Sequence, residues 1–482
     1  MTRGFTIAHP DHLYIGGSWV TPSSGRRLKV VNPADESVVM EVAAAAPADV
    51  DRAVTAARAA FDHGPWPRLT PPERAVRLRL LGDAMRRRQS EFAAALTTEM
   101  GSPISVSTAT VAGPPALIDF YATLAETLPE IEERDRRQGT AYGVMEPVGV
   151  VAAVVPWNAP LNLAILKLAP ALAAGCTIIL KPAPTTPLNA LLIAECLDEV
   201  GLPEGVVSVL PADNDVSDRL IADPRVDKVT FTGSTGVGRH IARICADRLA
   251  RVALELGGKS AAIILDDMDI EDAVRRLVPG STMVSGQACS ALTRVLVPPH
   301  RRDAFVEAFA AALRQMRVGD PQDPATQLGP IALERQRDRV LDYVAIGRAE
   351  GARLVTGGGR PANLPRGFFV APTLFDGVDN SMRIAREEIF GPVVSVIAYR
   401  DEEDAIAIAN DSDYGLYASI FTHDDDAVWR LGRRLRTGNV GKNGVIIDRT
   451  LPYGGFKQSG IGREGGIEGL RSFQEQKMVY LA

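Results

Sequence analysis

At 482 residues the chain exceeds what one hydrophobic core fills, so two or three domains are expected rather than a single small binding module. Hydrophobic residues at 46% and charged residues at 23% match ordinary globular usage and argue against a largely disordered or fibrous chain. A formal net charge of −6 provides no global basic field for nucleic acid. The start "MTRGFTIAHPDHLYIGG" has no apolar core of signal-peptide length, and four unclustered cysteines make no disulfide framework, so a reducing, cytoplasmic location is expected.

In chain order, Val50, Ala53, Val54, Ala57 and Phe61 fall on one helical face after Pro47, and a second helical region follows "TPPER" through "AVRLRLLGDAMRRRQSEFAAALTTEM". The apolar stretch 161–180 resembles a membrane span, but Lys167, Pro170 and Gly175 interrupt it; it reads as a buried helix running into a buried strand, and no membrane partner is expected. After "EPVGVVAAVVPW" come a helix near 162–174, the strand "CTIILKP", the helix "PLNALLIAECLDEV", the strands "VVSVL" and "VDKVTFTG", a helix from Val237 and the strand "RVALEL". Short apolar strands alternating with helices predict a parallel sheet covered on both faces, an α/β fold. A second alternating set follows "LGGKSAAIILDD", with helices near 270–280, 301–316 and 331–350, and predicts a second α/β domain entered near Gly257. The tail "SFQEQKMVYLA" is a strand with no neighbour in sequence, expected to pair with the isolated "GTAYGVME" or with another subunit.

Chemistry concentrates in a few stretches. "SGQACSALTR" sets Cys289 among Gly286, Ala288, Ser290 and Ala291, small residues that leave room for a reactant, although these neighbours with Arg294 also fit a tight helix start. Cys176, Cys196 and Cys245 lie in apolar strand or helix patterns and read as core. Glu255, ending an apolar strand before paired glycines, reads as a general base if held in a cleft and otherwise as a solvated edge or an ion pair with Lys259. In "FTGSTGVGRH", Gly233, Gly236 and Gly238 open a helix after a strand, where backbone N–H groups favour phosphate, but the spacing is not the dinucleotide fingerprint. The strict fingerprint spacing in "GIGREG", 460–465, lacks a βαβ context and reads as a tight-turn segment. Pro156 and Pro160 fix the backbone around Asn158, whose amide suits an oxyanion site or a plain turn. "EEIFGPV", 387–393, is adequately explained as a capped turn.

Together "PWNAP", "FTGSTGVG", "LELGGKS", "GQACSALTR", "EEIFGPV" and "PYGGFKQSG", in this order, resemble the NAD(P)-dependent aldehyde dehydrogenase superfamily over nearly the whole chain, with Glu255 34 residues before Cys289. The resemblance implies Cys289 as nucleophile, Asn158 with the Cys289 N–H as oxyanion donors, Glu255 as the base that activates water, and Lys167 near the site. For an NAD cofactor it implies Lys181 at the adenosine ribose, Ser234 with the Gly233–Gly238 turn at the pyrophosphate, Glu388 at the nicotinamide ribose beside Phe390, and further contacts from Pro156, Trp157, Leu256 and Gly257. No metal is implied. The implied fold is a Rossmann-type cofactor domain (1–124 and 148–257), an α/β catalytic domain (258–458) and a β-ribbon oligomerisation element (125–147 and 459–482), joining a homo-oligomer, a dimer or tetramer.

Two departures from the common pattern carry expectations. Pro184 stands where many NAD-specific members carry a carboxylate, so NADP is expected to be accepted. Ala159 and Leu166 are smaller than common choices, with Tyr453 and Trp157 as candidate walls, so bulky aromatic or terpenoid aldehydes are expected as substrates. The rival readings are a coenzyme A-acylating dehydrogenase, which Glu255 argues against, a nitrilase-like cysteine hydrolase, which has no need of the Gly233 turn, and a non-catalytic structural role.

Overall fold

A computed structural model describes residues 4–135 and 139–481; the first three residues of the quoted N-terminus, 136–138 within the expected ribbon and the final alanine lie outside it. Five parallel strands form the centre of an eight-stranded sheet, in the spatial order Val207–Val209, Thr177–Lys181, Val150–Val154, Lys228–Thr232, Arg251–Glu255. Counted along the chain this is the order 3-2-1-4-5, the doubly wound arrangement, and the strands other than the start of Arg251–Glu255 are buried along their length because helices cover both faces. The order reverses between Val150–Val154 and Lys228–Thr232, and clefts open beyond the carboxyl ends of strands at such a reversal.

The helix Pro160–Ala174 follows the first of these strands. Pro160 at its first position needs no hydrogen-bond acceptor, and Gly175 ends it at φ 93°, a left-handed angle that glycine adopts without strain. All but Asn162 of its residues are buried, as the interrupted apolar run predicts. The second helical region divides at Arg88, whose φ of −110° and ψ of 16° are not helical, into Pro71–Arg87 and Gln89–Met100. The helix expected from Val237 begins at Thr235, because the Ser234 hydroxyl accepts from the Val237 N–H and caps it.

The second sheet has seven strands, six of them parallel: Thr373–Asp376, Val393–Ala398, Leu292–Val297, Ser260–Ile264, Tyr417–Phe421 and Asn439–Lys442. The chain leaves the carboxyl end of Arg251–Glu255 and, four residues later, enters the amino end of Ser260–Ile264. Carboxyl ends of one sheet therefore face amino ends of the other across the segment 256–259. The tail strand Gln474–Leu481 pairs antiparallel with Thr140–Pro147 of the same chain, which in turn pairs with Ile131–Arg134.

Two expectations are corrected. Gly460–Ile461 is not merely a tight turn: it pairs with Leu254 and Glu255 as an edge strand of the first sheet, and so stands outside the ribbon to which 459–482 is assigned above. Glycine is required there, because a Cβ on Gly460 would collide with the Leu254 carbonyl. Arg294 starts no helix. It lies buried in the strand Leu292–Val297 and donates to the carbonyls of Lys259, Ile408 and Ala409 and to Asn380, tying separate loops together.

Candidate active site

Cys289 sits in the turn before Leu292–Val297, at the amino end of the second sheet. Before it, Val284 (φ 54°), Ser285 (φ 56°) and Gly286 (φ 75°) are three consecutive residues in the left-handed region. Such strain in non-glycine residues persists only where the surroundings over-determine it. Here Ser285 Oγ donates to the Gly329 carbonyl at 2.9 Å, and Gly286 lies so close to Gly391 that a Cβ would collide with its carbonyl carbon. The "EEIFGPV" segment thus supports the thiol loop. It is not a simple capped turn: Phe390 has φ 61°, and Gln336 Nε2 donates to both the Ile389 and Phe390 carbonyls at 2.9 Å.

Gln287, given no role by its motif, joins two predicted segments. Its carbonyl accepts from Asn158 Nδ2 at 2.8 Å, and its Oε1 accepts from Trp157 Nε1 at 3.4 Å and from the Ala332 N–H at 3.0 Å. Asn158 is thereby fixed beside the thiol turn with its second amide hydrogen uncommitted. The Trp157 ring meets Phe390 edge to face at 5.8 Å between centroids. On another side the Tyr453 hydroxyl is 3.9 Å from Cys289 Sγ. Burial pushes the Cys289 thiol up to about 11, with the nearby Glu388 carboxyl adding to the shift, which favours the protonated thiol. Cys176, Cys196 and Cys245 are buried at 1% exposure or less, and their thiols are likewise pushed up by burial.

Glu255 ends the strand Arg251–Glu255 at 5% exposure, and among the described residues it pairs with no cation, Lys259 included, and neither carboxylate oxygen has a hydrogen-bond partner. Burial and the neighbouring Glu464 hold its carboxyl well above the usual carboxylate range, against the opposing pull of Lys167. Lys167 is fully buried, ion-paired with Glu464 and 3.2 Å from Thr230 Oγ1. Glu464 exchanges both backbone hydrogen bonds with Tyr453, at 2.7 and 2.8 Å, so Tyr453, Glu464 and Lys167 form one connected group whose charges act on Glu255. Glu464 has no sequence signal beyond its place among glycines.

The remaining predicted positions lie mostly along the same edge. Ser234 and Gly236 are exposed at the amino end of the helix Thr235–Asp247. Gly233 and Gly238 are constrained by packing: a Cβ on Gly233 would strike the Phe231 ring, and one on Gly238 would press into Leu256 at 2.5 Å. Lys181, at 3% exposure, ends its strand next to the "KPAP" turn in which Pro184 is half-buried; burial lowers its ammonium to about 8. Glu388 Oε1 accepts from the Gly258 N–H at 3.1 Å, and burial pushes its carboxyl up to about 7. Gly257 leaves the Glu388 carboxyl its place, since a Cβ there would displace Oε2. Ala159 and Leu166 pack with the first core, Leu166 at 2% exposure, whereas Cys289 and Tyr453 pack with the second.

The aldehyde dehydrogenase family pattern matches residues 19–479. The chain belongs to the aldehyde dehydrogenase family, oxidoreductases that act on aldehydes. It is 46% identical over 481 residues to the geranial dehydrogenase of Castellaniella defragrans, covering 99% of both chains. It is 43% identical to the 3-succinoylsemialdehyde-pyridine dehydrogenase of a Pseudomonas species, covering 97% of both. An aldehyde dehydrogenase of Mycobacterium tuberculosis solved with NAD+ shares 47% identity at a TM-score of 0.97, covering 99% of both chains. Betaine aldehyde dehydrogenase of Staphylococcus aureus, solved with NAD+, shares 36% identity at a TM-score of 0.96, covering 98% of this chain and 94% of that one. The aldehyde dehydrogenase fold inferred from motif order is therefore the fold adopted. Among the described residues no helix is long and apolar enough to cross a membrane.

Proposed function

We propose that this aldehyde dehydrogenase oxidises bulky aldehydes, terpenoid or aromatic, to carboxylic acids through an acyl intermediate on Cys289, using NAD and accepting NADP. The observation that carries the reading is the convergence of a recessed thiol, a fixed asparagine amide and a buried carboxylate without a partner at the switch-point edge of a doubly wound sheet.

The residues fit a dinucleotide. Ser234 and Gly236 offer an open helix amino end that would take its phosphates, Lys181 and Pro184 would flank the adenosine ribose, and Glu388, Phe390 and Trp157 would hold the nicotinamide end, with Pro156, Leu256 and Gly257 allowing a close backbone approach. Bound there, the nicotinamide supplies the acceptor for the aldehyde hydrogen. Cys289 Sγ, on losing its proton, attacks the carbonyl carbon, and the carbonyl electron pair moves to oxygen. Asn158's second amide hydrogen and the Cys289 N–H then donate to that oxygen. Once the aldehyde hydrogen has gone, an acyl thioester remains. Glu255 takes a proton from water, the water oxygen attacks the thioester carbon, and the sulfur leaves as the acid is released. A carboxyl held above its usual range suits this base role near neutral pH. Lys167 and Glu464, paired behind Glu255, set its charge rather than touch the substrate.

The substrate class is supported by Ala159, which adds no bulk beside Asn158, and by the relative named for geranial, an isoprenoid aldehyde. Acceptance of NADP is supported by Pro184, where no carboxylate opposes a 2′-phosphate, and by Lys181 beside it. Nicotinamide reduction with geranial, benzaldehyde, hexanal and acetaldehyde, each with NAD and NADP, tests both parts beside a Cys289→Ala control. We expect geranial or benzaldehyde to exceed acetaldehyde in kcat/KM by about tenfold or more. Acetaldehyde as the best substrate would overturn the class, and a several-thousand-fold selectivity for NAD would overturn the cofactor breadth. The reading includes self-association through the ribbon, whose outer strand Gln474–Leu481 presents Met478 and Val479 at 38% exposure each.

A further inference from the structure

One charged side chain near the thiol has no part in these steps. Arg449 lies in the connection 443–452, its carbonyl accepting from the Gly466 N–H at 3.3 Å. Its guanidinium carbon stands 4.9 Å from the centroid of the Tyr453 ring, whose hydroxyl is the group 3.9 Å from Cys289 Sγ. Val445 and Ile447 of the same connection pack into the apolar cluster that holds Cys289 and Tyr453, so this loop is one wall of the thiol's surroundings.

Arg449 is half-buried and, among the described residues, makes no ion pair. The other cations close by are committed: Lys167 pairs with Glu464, and Arg463 donates to the carbonyls of Gly455 and Gly462. The titratable groups facing Cys289 are Glu388, Arg449, Glu255 and Tyr453. Burial holds both carboxyls above their ordinary range and keeps the tyrosine a neutral phenol, so their negative charge offsets the guanidinium less than ordinary carboxylates would, and less still as pH falls below 7. A charge left unneutralised in a partly dehydrated recess acts more strongly than one in bulk water.

We propose that Arg449 is a charge filter for Cys289: it admits uncharged and anionic reactants to the thiol and turns away cationic ones, so that quaternary-ammonium aldehydes are excluded from the substrate range. The substrate clause rests on the reading of Cys289 as the nucleophile; the filter itself does not.

The test compares modification of Cys289 by 2-sulfonatoethyl and 2-(trimethylammonio)ethyl methanethiosulfonate at pH 6.5 to 7. Each reagent transfers its thioalkyl group to sulfur, forming a disulfide and releasing methanesulfinate. Dividing each rate by that with 2-mercaptoethanol removes intrinsic reactivity, and a change in thiol acidity cancels in the ratio. The other three cysteines are buried, and Cys289→Ala supplies the blank. We expect the anionic reagent to be favoured by about tenfold or more, with the ratio falling toward one at 0.5 M salt. Arg449→Met should bring the ratio within threefold of unity, and Arg449→Lys should retain the preference. A ratio near one in the unaltered protein, or an unchanged ratio in Arg449→Met, overturns the filter.

In turnover, 3,3-dimethylbutanal and trimethylammonioacetaldehyde differ in charge but little in shape. The neutral aldehyde should have the higher kcat/KM by at least about tenfold, and Arg449→Met should narrow the gap; equal values overturn the substrate clause. If labelling is charge-selective but neither this aldehyde nor geranial is oxidised, the filter stands and the dehydrogenase reading of the site falls.

Discussion

Gln287 carries more of the site's order than its motif suggests, because one side chain and one carbonyl hold Trp157, Asn158 and Ala332 in register with the thiol turn. Gln287→Ala keeps the carbonyl that holds Asn158 but removes the side chain that ties the turn to Trp157, Ala332 and the Val284 carbonyl. As the turn drifts from its place, kcat should fall by about 10-fold with little change in KM. Steady-state kinetics with geranial decide it, and an unchanged kcat would refute the role. Proton bookkeeping gives a second expectation. Cys289 and Glu255 both have raised pKa values in the folded chain, and both must lose a proton to act, so kcat/KM should climb as pH rises from about 6 to 9. A flat profile, or one falling above pH 7, would contradict that assignment. At this scale the local contexts of Cys289, Glu255 and Asn158 (small neighbours, a strand end before glycines, flanking prolines) made them candidates that also had plain structural readings, and only the order of the motifs along the chain implied their roles. Glu464 and Arg449 were not legible, because their partners Lys167 and Tyr453 are chosen by long-range packing and short turns with no distinguishing composition.

The element that most constrains the chemistry is the left-handed run Val284–Gly286, wedged against Gly391. Gly286→Ala adds a methyl where only backbone is available to yield and imposes an unfavourable φ, so it should destabilise the chain by about 2–4 kcal/mol. Thermal unfolding should move down by several degrees, and an unaltered midpoint would show that the loop can relax. Strands were the most readable elements, since the uninterrupted apolar runs of a sheet covered on both faces leave an unmistakable pattern. Boundaries set by caps and strain were harder to read. The start of Thr235–Asp247 depends on the Ser234 side chain, and Gly460–Ile461 is a strand only because Leu254 and Glu255 present a free edge to it.

Across the whole molecule, function follows from two sheets meeting end to end. The chain passes from Glu255 to Ser260 without a detour, which sets the carboxyl end of Arg251–Glu255 in the first sheet close to the amino end of Ser260–Ile264 in the second. The existence of two α/β layers was readable from the alternation of elements; their facing edges were not, because strand order is a property of long-range pairing. The ribbon is the other feature of this scale. Truncation after Phe473 removes the outer strand, and we expect sedimentation velocity to show a dimer or tetramer for the intact chain and a monomer for the truncated one; the same assembly for both would place the interface elsewhere. The chemistry itself is decided by intact-protein and peptide mass spectrometry of Glu255→Gln after mixing with geranial and NAD. Removing the base should strand the thioester, giving a stoichiometric acyl mass on the peptide that contains Cys289. Turnover at the unaltered rate with no acyl mass on that peptide would contradict the assignment of Glu255 and of the covalent route through Cys289.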